Sequence, residues 1–343
     1  MNRRELLTAF LCAGSGEPAA CKADDYRTPY KLGRLVLTAS GVEGEYDSRL
    51  VDCPFVFRHG GRFWMTFVGH DGVGYQTGLA SSTDLVNWRK EGCILRRDPA
   101  SPIARYNIAL NWILRENNLR SPGRLRKVGG SYLGVYHAYP DPGYERGAAD
   151  IGLCRSNDLF HWTLEPPCLR AREGADWERG GLYKPCLLEH AGRYYIIYNA
   201  KNDAPRGWRE QIGVAWSDDL KSWVRYPGNP IVRNDGPGSP DERFAADPCV
   251  LRHGRQWAIF YYGLDAKGVA RELVALSPDL LQVSKCDEIL IDVGPEGSVD
   301  STYAHKPSVV YHDGCLYHFY CAVSRKDKRE VRGISVARSR RWT

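Results

Sequence analysis

The chain has 343 residues, 43% hydrophobic and 26% charged, enough apolar material for a packed core without disulfide or metal staples. Its net charge of +6 is spread along the sequence apart from a short C-terminal run (Arg338, Arg340, Arg341), so it lacks the basic stripe of a nucleic-acid-binding protein. None of the 11 cysteines forms a Cys-x-x-Cys pair, which removes the usual zinc spacing, and no stretch is long and apolar enough to span a membrane.

The N-terminus reads Met1-Asn2-Arg3-Arg4-Glu5 followed by a short apolar run to Leu11. Residues 1–23 are read as a twin-arginine-like export signal, which would place the protein in the periplasm or outside the cell, or else as a disordered N-terminus. Residues 24–343 are read as one domain. Within it, Leu35-Val36-Leu37-Thr38 is an apolar strand with no nearby partner.

From there the sequence repeats. Asp52-Cys53-Pro54-Phe55-Val56-Phe57 leads through Gly60-Gly61 to the aromatic strand Phe63–Phe67. Lys184-Pro185-Cys186, Asp247-Pro248-Cys249 and Lys306-Pro307-Ser308 open three further units of the same kind, and Ser121-Pro122-Gly123 opens a fainter one. Each is an apolar strand, a glycine turn and an aromatic strand, which is a hairpin signature. The second halves repeat as well. Ser82-x-Asp84-Leu85-x-x-Trp88 matches Ser156–Trp162 and Ser217–Trp223, and a fourth copy, Ser277–Val283, has valine at the tryptophan position. Pro54, Pro122, Pro185, Pro248 and Pro307 recur at intervals of about 60–70 residues, which suits four-stranded propeller blades. The expected fold is therefore all-β, a five-bladed β-propeller. The last blade runs out of sequence, so Leu35–Thr38 is expected to complete it and close the ring.

In each unit the first turn is short and the second long, as in His137–Ala149 and Asn199–Gln211. Strands alternate in direction, so the long turns and the entries to the innermost strands share one face, where function is expected. The innermost strand starts bring Asp52, Arg120, Tyr183 with Lys184, Asp247, and His305 with Lys306 to the axis. A ring of charge at a pocket mouth suits a polar ligand and acid–base chemistry.

These strand starts, glycine turns and Ser-x-Asp-Leu-x-x-Trp turns together resemble the five-bladed glycoside hydrolases of families 43, 32 and 117, over most of the sequence from Asp52 onward. The resemblance implies a glycosidase acting on a terminal sugar of an oligo- or polysaccharide. It implies Asp52 as base or nucleophile and Asp247 as the acidic residue that tunes it, with Arg243 nearby. Family 43 carries a glutamate two residues before the third proline, where this sequence has Tyr183. Glu178, Glu242 and His305 are the remaining candidates for the general acid. Lys184, Lys306 and Arg120 are candidate ligands for an anionic group on the substrate, and Tyr183 and Trp177 are candidate stacking surfaces. No metal or cofactor is expected, though such folds leave room for a structural cation on the axis. The partner is a carbohydrate. Two other readings stay open: a glycoside phosphorylase or uronate-directed lyase, and a carbohydrate-binding propeller without catalysis.

Overall fold

The structure, a computed structural model, describes residues 23–327 and 329–342, and the expected export segment lies almost wholly outside them. It is all-β. Two short strands, β1 (Tyr30–Lys31) and β2 (Leu37–Thr38), precede five successive runs of antiparallel strands. The first run is β3 (Leu50–His59), β4 (Arg62–His70), β5 (Tyr75–Ser82) and β6 (Arg89–Leu95). The second is β7 (Ala109–Ile113), β8 (Lys127–Val128), β9 (Ser131–Ala138), β10 (Asp150–Ser156) and β11 (Thr163–Leu169). The third is β12 (Gly181–His190), β13 (Arg193–Lys201), β14 (Glu210–Ser217) and β15 (Val224–Arg225). The fourth is β16 (Phe244–His253), β17 (Gln256–Leu264), β18 (Ala270–Ser277) and β19 (Ser284–Lys285). The fifth is β20 (Tyr303–His312), β21 (Cys315–Lys326) and β22 (Arg329–Arg338). Single parallel contacts, Glu210 to Phe244 and Ala270 to Tyr303, link the third, fourth and fifth runs. Both β1 and β2 pair antiparallel with β22, Leu37 lying opposite Ile334.

The proline positions have a local consequence. Proline has no N–H for the ladder, so each of these strands bulges around it. The pairing slips between Asp52 and Phe55, Tyr183 and Cys186, Ala246 and Cys249, and His305 and Ser308. The residue before each proline takes a left-handed backbone: Cys53 (φ 53°), Lys184 (49°), Asp247 (56°) and Lys306 (68°). Such conformations cost about 1–3 kcal/mol each for non-glycine residues and gather at functional sites.

The second run departs from the sequence reading. Its innermost strand is Ala109–Ile113, and the slip there falls between Leu110 and Trp112, so Asn111 occupies the bulge and Trp112 stands where the other runs have proline. The segment around Pro122 instead crosses the far ends of the inner strands. Arg124 bridges Arg58, Asn118 bridges Arg252, and the Tyr311 amide donates to the Ser121 carbonyl at 3.0 Å. Arg120 goes with it, half-exposed, 3.6 Å from Asp25 and over the Tyr311 ring. It lies at the opposite strand ends from Asp52 and does not join the ring of inner-strand starts.

A buried acid recurs seven residues before four of the bulge prolines, and it is structural. Glu178 accepts from Tyr198 Oη (2.7 Å) and pairs with Arg225 (3.1 Å). Asp241 accepts from Tyr261 Oη (3.2 Å) and Lys285 (2.6 Å), and Asp300 from Tyr320 Oη (2.9 Å) and Lys31 (2.7 Å). Asp47 pairs with Lys90, with Phe67 where the others have tyrosine. In each case a residue of the outermost strand supplies the cation. The sequence called for no disulfide, yet Cys286 is disulfide-bonded.

Candidate active site

The four strained residues and Asn111 meet around a small chamber of about 30 Å³, floored by Pro54, Pro185, Pro248 and Pro307. That volume holds about one water. Two of its wall residues are Lys184 and Lys306, whose ammonium charges disfavour the axial cation that the fold allows for.

Asp52 is fully buried beside this chamber. Its Oδ2 accepts from Lys306 Nζ (2.8 Å), Arg332 Nη1 (2.7 Å) and Tyr144 Oη (3.0 Å), and its Oδ1 from the Cys53 amide (2.8 Å). Burial alone would raise its pKa, but Lys306, Arg332 and Lys184 outweigh burial and hold it well below the usual carboxylate range. Its lone pairs are engaged within the protein, a geometry suited to an anchor.

Asp247 sits across the chamber. Burial pushes its pKa up to about 7, against the pull of Lys306 and Lys184. Its Oδ1 accepts from Asn199 Nδ2 (3.0 Å), and Oδ2 has no partner among the described residues. His305 Nδ1 lies 2.9 Å from the Cys321 carbonyl, and its ring packs edge-on to Tyr262 and is held neutral by burial and by Lys306. Lys184 lies 2.5 Å from Cys53 Sγ and over the Tyr75 ring.

Two glutamates absent from the sequence-based candidates complete the arrangement. Glu145 lies in the long turn between β9 and β10 and is itself left-handed (φ 52°). Its carboxylate accepts from Tyr75 Oη (2.9 Å) and lies 3.7 Å from Lys184 and 3.6 Å from Lys306. Burial opposes ionisation, but the two lysines prevail and bring its pKa to about 2. Glu210 opens β14. It accepts from Asn199 Nδ2 (2.9 Å) and Trp208 Nε1 (3.0 Å), and its pKa is raised, first by burial and then by the charge of Glu145. Lys201, opposite Glu210 in the ladder, donates to the Glu145 carbonyl at 3.3 Å. Asn199 bridges Glu210 to Asp247. Both glutamates line a cleft of about 680 Å³, with Tyr144, Lys201 and Trp208 on its walls. Tyr144 is 37% and Trp208 38% exposed, leaving open aromatic surface at the cleft. This is a pair of carboxyl groups with opposed pKa shifts in one cleft, the arrangement that separates acid from base.

Residues 136–343 match the description "Glycosyl hydrolases family 43". This protein belongs to that family. It is a glycosidase. A solved structure described as a complex of BT0996 and RGII is 28% identical, with 93% of each sequence covered and a TM-score of 0.79. Another, described as "Glycoside hydrolase", is 26% identical over 92% of each sequence, TM-score 0.77. A family 117 enzyme, Zg3597 from the marine bacterium Zobellia galactanivorans, is 13% identical over 91% of each sequence, TM-score 0.62, and shares the fold.

As a family 43 member this protein departs from the expected acid. Tyr183 is buried against Tyr139 and under Lys201, at the back of the cleft. Glu178 is the repeat counterpart of Asp47, Asp241 and Asp300, and it faces Tyr198 and Arg225 rather than the cleft. Trp177 stacks on Tyr198 and fills the space over Gly213, so it is a packing residue. Glu242 accepts from the Gly238 amide (2.8 Å) within its own loop. Arg243 lies over Phe244, and its carbonyl accepts the Glu210 amide (3.2 Å), which places it behind Glu210. Glu178→Gln is expected to lower the unfolding midpoint and leave kcat on an aryl glycoside within about twofold, because it breaks a buried charge pair away from the cleft. Thermal melting and initial rates on one preparation test this.

Proposed function

We propose that the protein is an exo-acting glycoside hydrolase in which Glu145 works as the ionised carboxylate and Glu210 as the proton donor. The opposed pKa shifts of these two residues in one cleft carry the reading. Lys184 and Lys306 keep Glu145 charged, ready to attack the anomeric carbon or to activate water. Burial, and after it the charge of Glu145, raises the pKa of Glu210 and favours the protonated form that can protonate the leaving oxygen. Trp208 and Asn199 fix the Glu210 carboxyl, and Tyr144 and Trp208 offer ring faces to the sugar. The RGII named for the 28%-identical structure is the first substrate to test.

The five strand runs are proposed to stand as five propeller blades around the small chamber, with β1 and β2 closing the fifth. Two observations support this. Lys31 on β1 takes the place at Asp300 that outer-strand cations take at Asp47, Glu178 and Asp241. Arg115 donates to carbonyls of both the first and fifth runs, at Val56 and at Val309 (3.0 Å).

The two pKa directions set a pH profile. Glu145 must be ionised, and with a pKa of about 2 it is so at any ordinary pH. Glu210 must be protonated, so kcat/KM is expected to be flat in acid and to fall as pH rises through its raised pKa. Activity across pH on aryl glycosides and on oligosaccharides prepared from RGII, with and without phosphate, tests the reading. A rate that climbs through neutrality overturns the Glu210 assignment, and dependence on phosphate would make the enzyme a phosphorylase.

A further inference from the structure

In the first three runs the Ser-x-Asp-Leu-x-x-Trp turn is one repeated device. Ser82, Ser156 and Ser217 accept the amide of the leucine three residues on, and the indole N–H of Trp88, Trp162 and Trp223 donates to that leucine's carbonyl at 3.2, 3.0 and 3.4 Å. Trp88 lies edge-on to Phe319 of the fifth run, so this indole seals the seam to the neighbouring run. The seam between the first and second runs is likewise filled by aromatic rings, Phe160 standing edge-on to Trp64.

The fourth turn keeps its geometry but not its seal. Leu280 has the same left-handed backbone (φ 69°) as Leu85, Leu159 and Leu220, and Asp279 accepts from Leu281 and Gln282, yet Val283 stands at the tryptophan position. Two hollows open there, of about 630 and 490 Å³, and both are lined by Tyr226 and Leu281. The larger has Tyr195, Trp216 and Trp257 on its walls and Arg193, Asp279 and Gln282 among its polar groups. Tyr195, Trp216 and Tyr226 are half-buried, and the Trp216 and Tyr226 rings are inclined at 45° with centroids 6.2 Å apart. A hollow of this size with aromatic walls and a few polar groups is the usual make-up of a small-ligand site. Trp216 is six residues along β14 from Glu210, about 20 Å away, so the groove is separate from the cleft.

We infer that this unsealed seam is a second, non-catalytic carbohydrate site that holds polysaccharide while the cleft works on a sugar terminus. The inference rests on the glycosidase reading for its ligand class. A sugar ring offers apolar C–H faces to the tilted indole and phenol and hydroxyls to Arg193, Asp279 and Gln282. Aromatic walls with a charged rim match that pattern.

Affinity electrophoresis in gels cast with soluble pectin, arabinan or mannan tests it, using Glu210→Gln protein so that the matrix survives. The expected result is retardation by at least one polymer that falls about tenfold in affinity in Trp216→Ala and in Val283→Trp. Val283 lines the smaller hollow, so the second variant restores the indole of the other turns there and narrows the groove at Tyr226 and Leu281, which both hollows share, without a truncation. In the otherwise wild-type protein, both variants are expected to keep kcat/KM on a small aryl glycoside. Equal retardation of all variants, or none by any polymer, overturns the second site while leaving the hydrolase reading intact. Groove-dependent retardation in a protein that cleaves nothing would sink the hydrolase reading and leave the second site standing.

Discussion

Glu210→Gln is expected to lower kcat on a glycoside with a poor leaving group by about 100- to 10,000-fold, the usual worth of general acid catalysis. On a nitrophenyl glycoside the loss is expected to be far smaller, because that leaving group departs without a proton. Glu145→Gln should abolish turnover on both substrates, since attack or water activation is needed whatever the leaving group. The contrast between substrates is the diagnostic. It assigns the proton donor without relying on the size of either loss. The alkaline fall in kcat/KM should also vanish in Glu210→Gln, as the group that titrates has gone. The anomeric configuration of the first product released by the wild type, read by proton NMR, separates the two courses: retention marks Glu145 as a nucleophile and inversion marks it as the base that activates water. Glutamine can accept from only one of Trp208 and Asn199, so a melting curve on the same preparation checks that the fold is kept. Full turnover of Glu210→Gln on the unactivated substrate would exclude it as the acid.

The fold was legible because its units repeat. Proline removes a ladder N–H at the same place in four strands, and the glycine turns and Ser-x-Asp-Leu turns follow at fixed offsets, so pattern alone divides the sequence. The second run escaped because Trp112 replaces the proline that marks the others, and Pro122, which falls near the expected interval, belongs to a crossing segment. Two of the acidic candidates, Glu178 and Glu242, lie away from the cleft, and for Glu178 the reason is related. Glu178 looks distinctive until it is aligned with Asp47, Asp241 and Asp300, each seven residues before its proline. The same count made in the sequence would have shown it to be structural. Glu145 and Glu210 carry no such mark. They sit in or beside the two long turns that the hairpin asymmetry pointed to, His137–Ala149 and Asn199–Gln211, but which side chain of a long turn reaches the cleft depends on its folded path. Glu145 gets there through a left-handed residue and two lysines from other runs, separated from it by 39 and 161 positions.

Asp52→Asn is expected to destabilise the protein by about 3–5 kcal/mol, the usual cost of breaking a buried ion pair from one side. The amide leaves Lys306 and Arg332 facing each other across a buried site, with Glu145 beside the lysine and Glu330 beside the arginine as the remaining acids. The pH dependence should change with it. The folded pKa of Asp52 is depressed, so its contribution is complete above the unfolded value of about 3.9 and is lost as pH falls through the folded one. Asp247 works in the other sense. With a folded pKa of about 7 it keeps its proton when the unfolded protein has released it, so stability falls as pH rises between about 4 and 7. Denaturant midpoints of the wild type should therefore drop in strong acid through Asp52 and decline towards neutrality through Asp247. Asp52→Asn should lose the first feature and keep the second. Adding Lys306→Met should recover part of the loss, since it removes one of the stranded charges. The same variant decides between the two roles for Asp52. A lowered midpoint with kcat reduced only modestly supports an anchor that holds Lys306 under Glu145. An unchanged midpoint with turnover abolished would restore Asp52 to the catalytic role that the family resemblance implies.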